Sequence, residues 1–117
     1  MAAIAATRKK IGARSIEVKW ETLTSADSGA SAEVKGHPDR TVQVSGTPSG
    51  ATITLQGSVD GTNFVTLTDN LGLDIVFVNT TGLKVLAQAP RYMQITNSGG
   101  DGSTDIDITM LCNAAGL

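Results

Sequence analysis

The chain has 117 residues (12.0 kDa), of which 40% are hydrophobic, 17% charged and 3% aromatic, with a formal net charge of −2. That is too apolar for a disordered polymer, too sparsely charged for a coiled coil, and of a size for one core rather than two. Glycine, serine and threonine make up about a third of the residues and apolar runs stay short, which excludes a membrane-spanning helix of ~20 apolar residues.

Charge is distributed unevenly from the start of the chain. Arg8, Lys9, Lys10 and Arg14 fall before the first acid, Glu17, whereas the remainder carries five cations against eleven acids. Residues 1–15 show no strand period and read as a flexible basic N-terminal arm, with residues 16–117 as one β-sandwich domain. Such an arm is either a solvated chain end or a segment that seeks anionic surface. The small apolar residues Ala2 to Ala6 precede the cations, the reverse of a secretory signal, so export by that route is not expected.

From Val18 onward the dominant period is two. Val18 and Trp20, continued by Thr22, put Trp20 in a core; Ser28-Gly29 then reads as a turn. Gly36-His37-Pro38-Asp39 reads as an exposed turn; His-Pro-Asp also marks chaperone-stimulating J domains, but there it lies between two helices, and none is expected here. Val42 and Val44 alternate with Thr41, Gln43 and Ser45, and Ile53 and Leu55 with Thr52, Thr54 and Gln56. Residues 51–68 form a hairpin with Asp60-Gly61 at its tip, a pair that tolerates positive φ. Further strands centre on Phe64 to Leu67, Ile75 and Phe77, Tyr92 to Ile95, and Ile106 to Met110. Leu83 to Ala87 suits one helical turn or an irregular edge strand before Pro90. About seven or eight strands with turns every eight to twelve residues indicate an all-β fold, an antiparallel β-sandwich or jelly-roll-like barrel with an extended N-terminal arm.

Reactive groups are scarce. The single cysteine, Cys112, follows Met110 and Leu111 and reads as a buried small hydrophobe, which excludes an internal disulfide and a multi-thiolate metal site. Asp101, Asp105 and Asp107 lack the spacing of a helix-loop-helix calcium site. Asp101 instead caps a turn, and Asp105 and Asp107 face outward on a last strand whose edge they protect. Four aromatic residues supply few platforms for sugars, and the glycine-rich turns lack a phosphate-binding lysine and helix. No catalytic residue, metal site or cofactor is expected, nor is an enzyme. An acidic body with four leading cations gives no basis for specific nucleic-acid binding.

Several segments nonetheless carry a resemblance. Thr41 to Gly46, the run Leu55-Gln56-Gly57-Ser58-Val59-Asp60-Gly61-Thr62-Asn63-Phe64, Ala89 to Ile95, and the Gly99 to Thr104 turn resemble small virion structural proteins of tailed bacteriophages, the capsid decoration or cement proteins. The resemblance covers residues 40–112. It implies a β-rich protein, a homotrimer, made in the host cytoplasm and seated on the outer capsid surface of the virion, where it bridges subunits of the major capsid protein. Arg8, Lys9, Lys10 and Arg14 are then the residues expected to meet acidic capsid or sister-subunit surface, with Asp60, Gly61 and Leu117 as oligomer or loop contacts. The competing expectation is a tail- or surface-associated carbohydrate-binding module that reads glycans through its loops.

Overall fold

The structure is a computed structural model describing residues 3–25 and 27–114. Its eleven strands are β1 (Ala3–Ile4), β2 (Thr7–Lys10), β3 (Ser15–Leu23), β4 (Ser28–Glu33), β5 (Asp39–Thr47), β6 (Ala51–Ser58), β7 (Val65–Thr66), β8 (Val76–Val78), β9 (Gly82–Val85), β10 (Tyr92–Gly99) and β11 (Asp105–Asn113). They form two sheets: one ordered β1-β4-β10-β6-β7 with β8 also on β6, the other ordered β2-β3-β11-β5-β9. All pairings are antiparallel except β1 with β4. The expected all-β sandwich is therefore the fold.

Two unbroken ladders form the spine of the sheets. β5 runs against β11 from Asp39↔Asn113 to Thr47↔Asp105, and β10 against β6 from Tyr92↔Ser58 to Gly99↔Ala51. Inward positions on each strand alternate as the period demands: Val42 and Val44, Ile106, Ile108 and Met110 from one sheet meet Ile53, Leu55, Met93 and Ile95 from the other. Ile75, Leu67, Phe77 and Leu86 close the core at one flank. Cys112 is fully buried, as expected of a small hydrophobe.

Several local expectations change. β11 is the central strand of its sheet, not an edge, so Asp107 does other work: its Oδ1 accepts the Thr22 backbone N–H at 2.8 Å. That bond holds a bulge in β3, where Trp20 pairs with Ile108 and Leu23 with Ile106. Thr22 takes φ +59°, an unusual conformation for a β-branched residue, and the extra residue moves the inward position from Thr22 to Leu23. Ser28-Gly29 opens strand β4 instead of a turn. Gly29 lies beneath Trp20 and Ile95, and a Cβ there would sit 2.8 Å from each; the Trp20 indole N–H donates to Ala30 O at 2.9 Å. A strand built from small residues under a large aromatic shows almost no hydrophobic period.

The 51–68 hairpin is shorter than the sequence indicates. β7 pairs with β6 only at Thr66↔Gln56 and Val65↔Gly57, and β8 takes the Thr52 to Thr54 half of β6. Residues 82–85 resolve to the edge-strand alternative, β9. The leading residues are extended, yet hydrogen-bonded: β1 joins one sheet and β2 the other, with Ile4 and Ala6 packed on the core. The segment has no strand period, yet it pairs, because ladder bonds are made by backbone and require no alternation of side chains; all four residues of β2 are exposed.

Candidate functional site

The structure separates the candidate residues into three places. Arg8, Lys9 and Lys10 lie on β2, an outermost strand of its sheet, and Arg14 lies in the bend that leads to β3. All four are exposed, and among the described residues none enters an ion pair. Cross-strand register sets Lys9 opposite Glu17, so one cation has an acid as neighbour on the outer face; Arg8 is opposite Val18 and Lys10 opposite Ile16. The side of β2 away from β3 has no ladder partner among the described residues, which leaves backbone donors and acceptors beside a row of cations.

Asp60 and Gly61 belong to a second place, at the end of β6. Asp60 accepts the backbone N–H groups of Thr62 and Asn63 at 2.8 and 2.9 Å, the Ser58 hydroxyl at 2.7 Å and the Asn63 amide at 2.8 Å. These donors, the Asn63 backbone N–H foremost, hold its carboxyl well below the usual carboxylate range. Gly61 has φ +79° and backs onto the Tyr92 ring. Arg91 also lies over the Tyr92 ring, 5.2 Å from its centroid, and pairs with Glu33, whose carboxyl this hydrogen bond holds below its ordinary range.

Beside the loop is an open groove of about 530 Å³ whose lining includes Gly57, Val59, Val65, Leu67, Gln88 and Pro90. Gly57 gives it depth: a Cβ there would stand 2.4 Å from Pro90 Cγ. Gln88 is occupied with Thr68, accepting its N–H at 2.9 Å and donating to its hydroxyl at 2.6 Å. With Asp60 and Gln88 both bonded inside the protein, the free surface of the groove is mainly apolar. Its lining comes from residues 57–67 and 88–90, segments joined only by folding, so the sequence shows no sign of it beyond a glycine inside a strand.

The third place is the opposite end of the sandwich. Asp101 caps its turn as expected, accepting from Ser103 N–H at 2.8 Å and from the Ser49 hydroxyl at 2.7 Å, and the Ser49 bond holds its carboxyl below the usual carboxylate range. Asp60 and Asp101 thus act as turn caps at opposite ends. Leu117 lies outside the described residues. No group of three or more His, Cys, Asp or Glu able to hold a metal occurs among the described residues.

Arg40 was missed as a structural centre, although it stands in period with Val42 and Val44. It is 3% exposed and donates to three backbone carbonyls: His37 (2.7 Å), Pro90 (2.6 Å) and Val34 (3.2 Å). Burial pulls its basicity down. The turn read as exposed is therefore anchored from beneath, with half-buried His37 bonded through Nδ1 to Lys35 O at 2.6 Å. Arg40 faces Cys112 across the β5–β11 ladder, and burial pushes the thiol up to about 11 against the opposing pull of Arg40 and Arg8.

No protein-family model matches the sequence, and no curated protein does either. Among solved structures, the SPBc2 prophage-derived protein YomS is similar at TM-score 0.65 and 13% identity, over 89% of this chain and 98% of that one. A conserved protein with a double-stranded β-helix domain from Klebsiella pneumoniae gives 0.49 at 14% identity (98% and 76% covered), and an RmlC-like cupin protein from Desulfovibrio desulfuricans 0.46 at 6% (95% and 82%). The YomS likeness is one of fold.

Proposed function

We propose that this chain is a bacteriophage virion structural protein of the decoration, or cement, type, placed on the outer capsid surface as a homotrimer and bridging subunits of the major capsid protein. The observation that carries this reading is β2. An edge strand with free backbone groups accepts an added strand, and Arg8, Lys9 and Lys10 along it disfavour basic partners and match acidic ones. The prophage origin of YomS, which shares the fold, supports the phage context. The sandwich behind β2 supplies a rigid block, and stabilisation of a shell by shared area requires no reaction.

The test is co-sedimentation with shells of the cognate major capsid protein at moderate salt. The native chain should pellet with the shells, and a triple variant, Arg8→Glu with Lys9→Glu and Lys10→Glu, should stay in the supernatant. Equal binding by both overturns the reading. The carbohydrate-binding alternative is favoured by one feature, Tyr92 beside the Asp60 loop and the groove. Trp20 is fully buried and takes no part in it. Glycan-array binding by the native chain that disappears in Tyr92→Ala would replace the capsid reading with that one.

A further inference from the structure

Register fixes which backbone groups of β2 are free. Thr7 pairs with Lys19, Arg8 with Val18, Lys9 with Glu17 and Lys10 with Ile16, and the ladder continues into the bend, where Ile11 N–H donates to Ser15 O at 3.1 Å. In an antiparallel ladder one residue sends both its N–H and its C=O to one side, and the next residue sends them to the other. Ile11 aims its N–H at β3, so Lys9 and Thr7 do the same, and the backbone groups of Arg8 and Lys10 point away from the sheet. The other side of β3 has the matching phase: Ala114 N–H donates to Arg14 O at 2.7 Å, so Arg14, Ile16 and Val18 turn their backbone groups to β11.

Side chains follow the same alternation. Ala6 packs on the core, and the residues opposite Arg8 and Lys10, Val18 and Ile16, face inward. Arg8 and Lys10 therefore stand on the inner-face side of β2, at the rim of the sandwich, while Lys9 lies on the outer face beside Glu17. All three cations are exposed, and among the described residues none is in an ion pair. The two residues with free backbone groups are thus the two cations with no acid in register. A strand added antiparallel places one residue opposite Arg8 and another, two positions along, opposite Lys10. Each exchanges backbone bonds with its cation and has its side chain on the same face, so carboxylates at both positions make two cross-strand charge pairs. The residue between them falls opposite Lys9, which already has Glu17 as its neighbour.

We infer that β2 takes up an extended peptide segment of its partner with acidic residues at alternate positions, Asp/Glu-x-Asp/Glu, bonded antiparallel with the two acids opposite Arg8 and Lys10. The inference rests on the proposed function in taking β2 as the contact, and adds the partner's pattern and register; the antiparallel sense is that of every pairing in this sheet. The probe is an eight-residue peptide of threonine and valine with glutamates at positions 4 and 6, titrated into the full chain and followed by amide hydrogen exchange. In the free chain the Lys9 and Ile11 amides should be protected and those of Arg8 and Lys10 open; the peptide should protect Arg8 and Lys10. N-methylation of both glutamates should abolish that protection, and N-methylation of the residue between them should not, because its N–H points away from β2. Arg8→Gln with Lys10→Gln should weaken binding about fivefold or more, and Lys9→Gln no more than about twofold. A peptide with glutamates at positions 4 and 5 should bind at least about threefold more weakly, since its acids face opposite sides. Equal binding of the two peptides, protection that survives methylation of the glutamates, or no new protection at millimolar peptide overturns the inference. Peptide protection in a chain that does not pellet with shells would sink the capsid reading and leave this one standing; β2-dependent shell binding without peptide protection does the reverse.

Discussion

Each flank of the sandwich is closed by an aromatic ring lying against a glycine, but the two closures differ. On the β1–β4 side Trp20 rests on Gly29, where a Cβ would come within 2.8 Å, and its indole N–H is bonded to Ala30 O. On the β8–β9 side Phe77 rests near Gly82, where a Cβ would come no closer than 3.2 Å, and it is capped by the half-exposed Lys84. The first closure is directional and leaves no slack. The second depends on a loop, and its surplus apolar residues face outward. The comparison shows how one core can be closed tightly at one flank and more loosely at the other.

The largest break in this comparison comes from removing the rings. Trp20→Ala deletes a fully buried side chain and orphans the Ala30 carbonyl, and should cost about 4–5 kcal/mol in denaturant unfolding. Phe77→Ala should cost about 3 kcal/mol, since its neighbours can relax toward solvent. Equal losses would mean that the flanks are equally well packed. A smaller and sharper contrast uses the glycines: Gly29→Ala should destabilise by about 2–3 kcal/mol through overpacking, and Gly82→Ala by less than about 1 kcal/mol.

Acid should separate the flanks further. Asp69, whose carboxyl is lowered chiefly by the Leu73 backbone N–H, and Asp60 both lie toward the β7–β9 side. A carboxyl that is more acidic in the folded chain than in the unfolded one adds stability above the unfolded value of about 4, and that stability is lost as pH falls through the lower, folded value. Hydrogen exchange should therefore show residues 68–74 losing protection as pH falls below the ordinary carboxylate range, while the β3 amides keep theirs. The smallest effect is alkaline. Burial raises Cys112, so its contribution is complete below the ordinary thiol range and fades as pH climbs toward 11; native Cys112 should resist iodoacetamide at pH 8 and react once unfolded.

Much of this was legible from alternation alone, because strands β5, β6, β10 and β11 have large inward residues at every second position, and a period of two is then unambiguous. What escaped did so for identifiable reasons. β2 is exposed on all four residues and β4 inserts glycine and alanine where others have leucine or isoleucine, so neither leaves a hydrophobic trace. The β3 bulge shifts phase in mid-strand, and its cause, Asp107, is 85 residues away from Thr22. At the candidate site, the four leading cations were visible as composition, but their mounting on a sheet edge was not. The groove arises from segments that meet only in the folded chain; Gly57 was its sole local mark.

The central position of β11 bears on synthesis. Until residues 105–113 leave the ribosome, β3 and β5 have no strand between them, and the five-stranded sheet exists only as two separate pieces, β2–β3 and β5–β9. Nucleation must then wait for contacts between distant parts of the chain, which slows folding and exposes unpaired strands to neighbouring nascent chains. The sheet should thus close late and in one concerted step, when β11 joins β3 to β5.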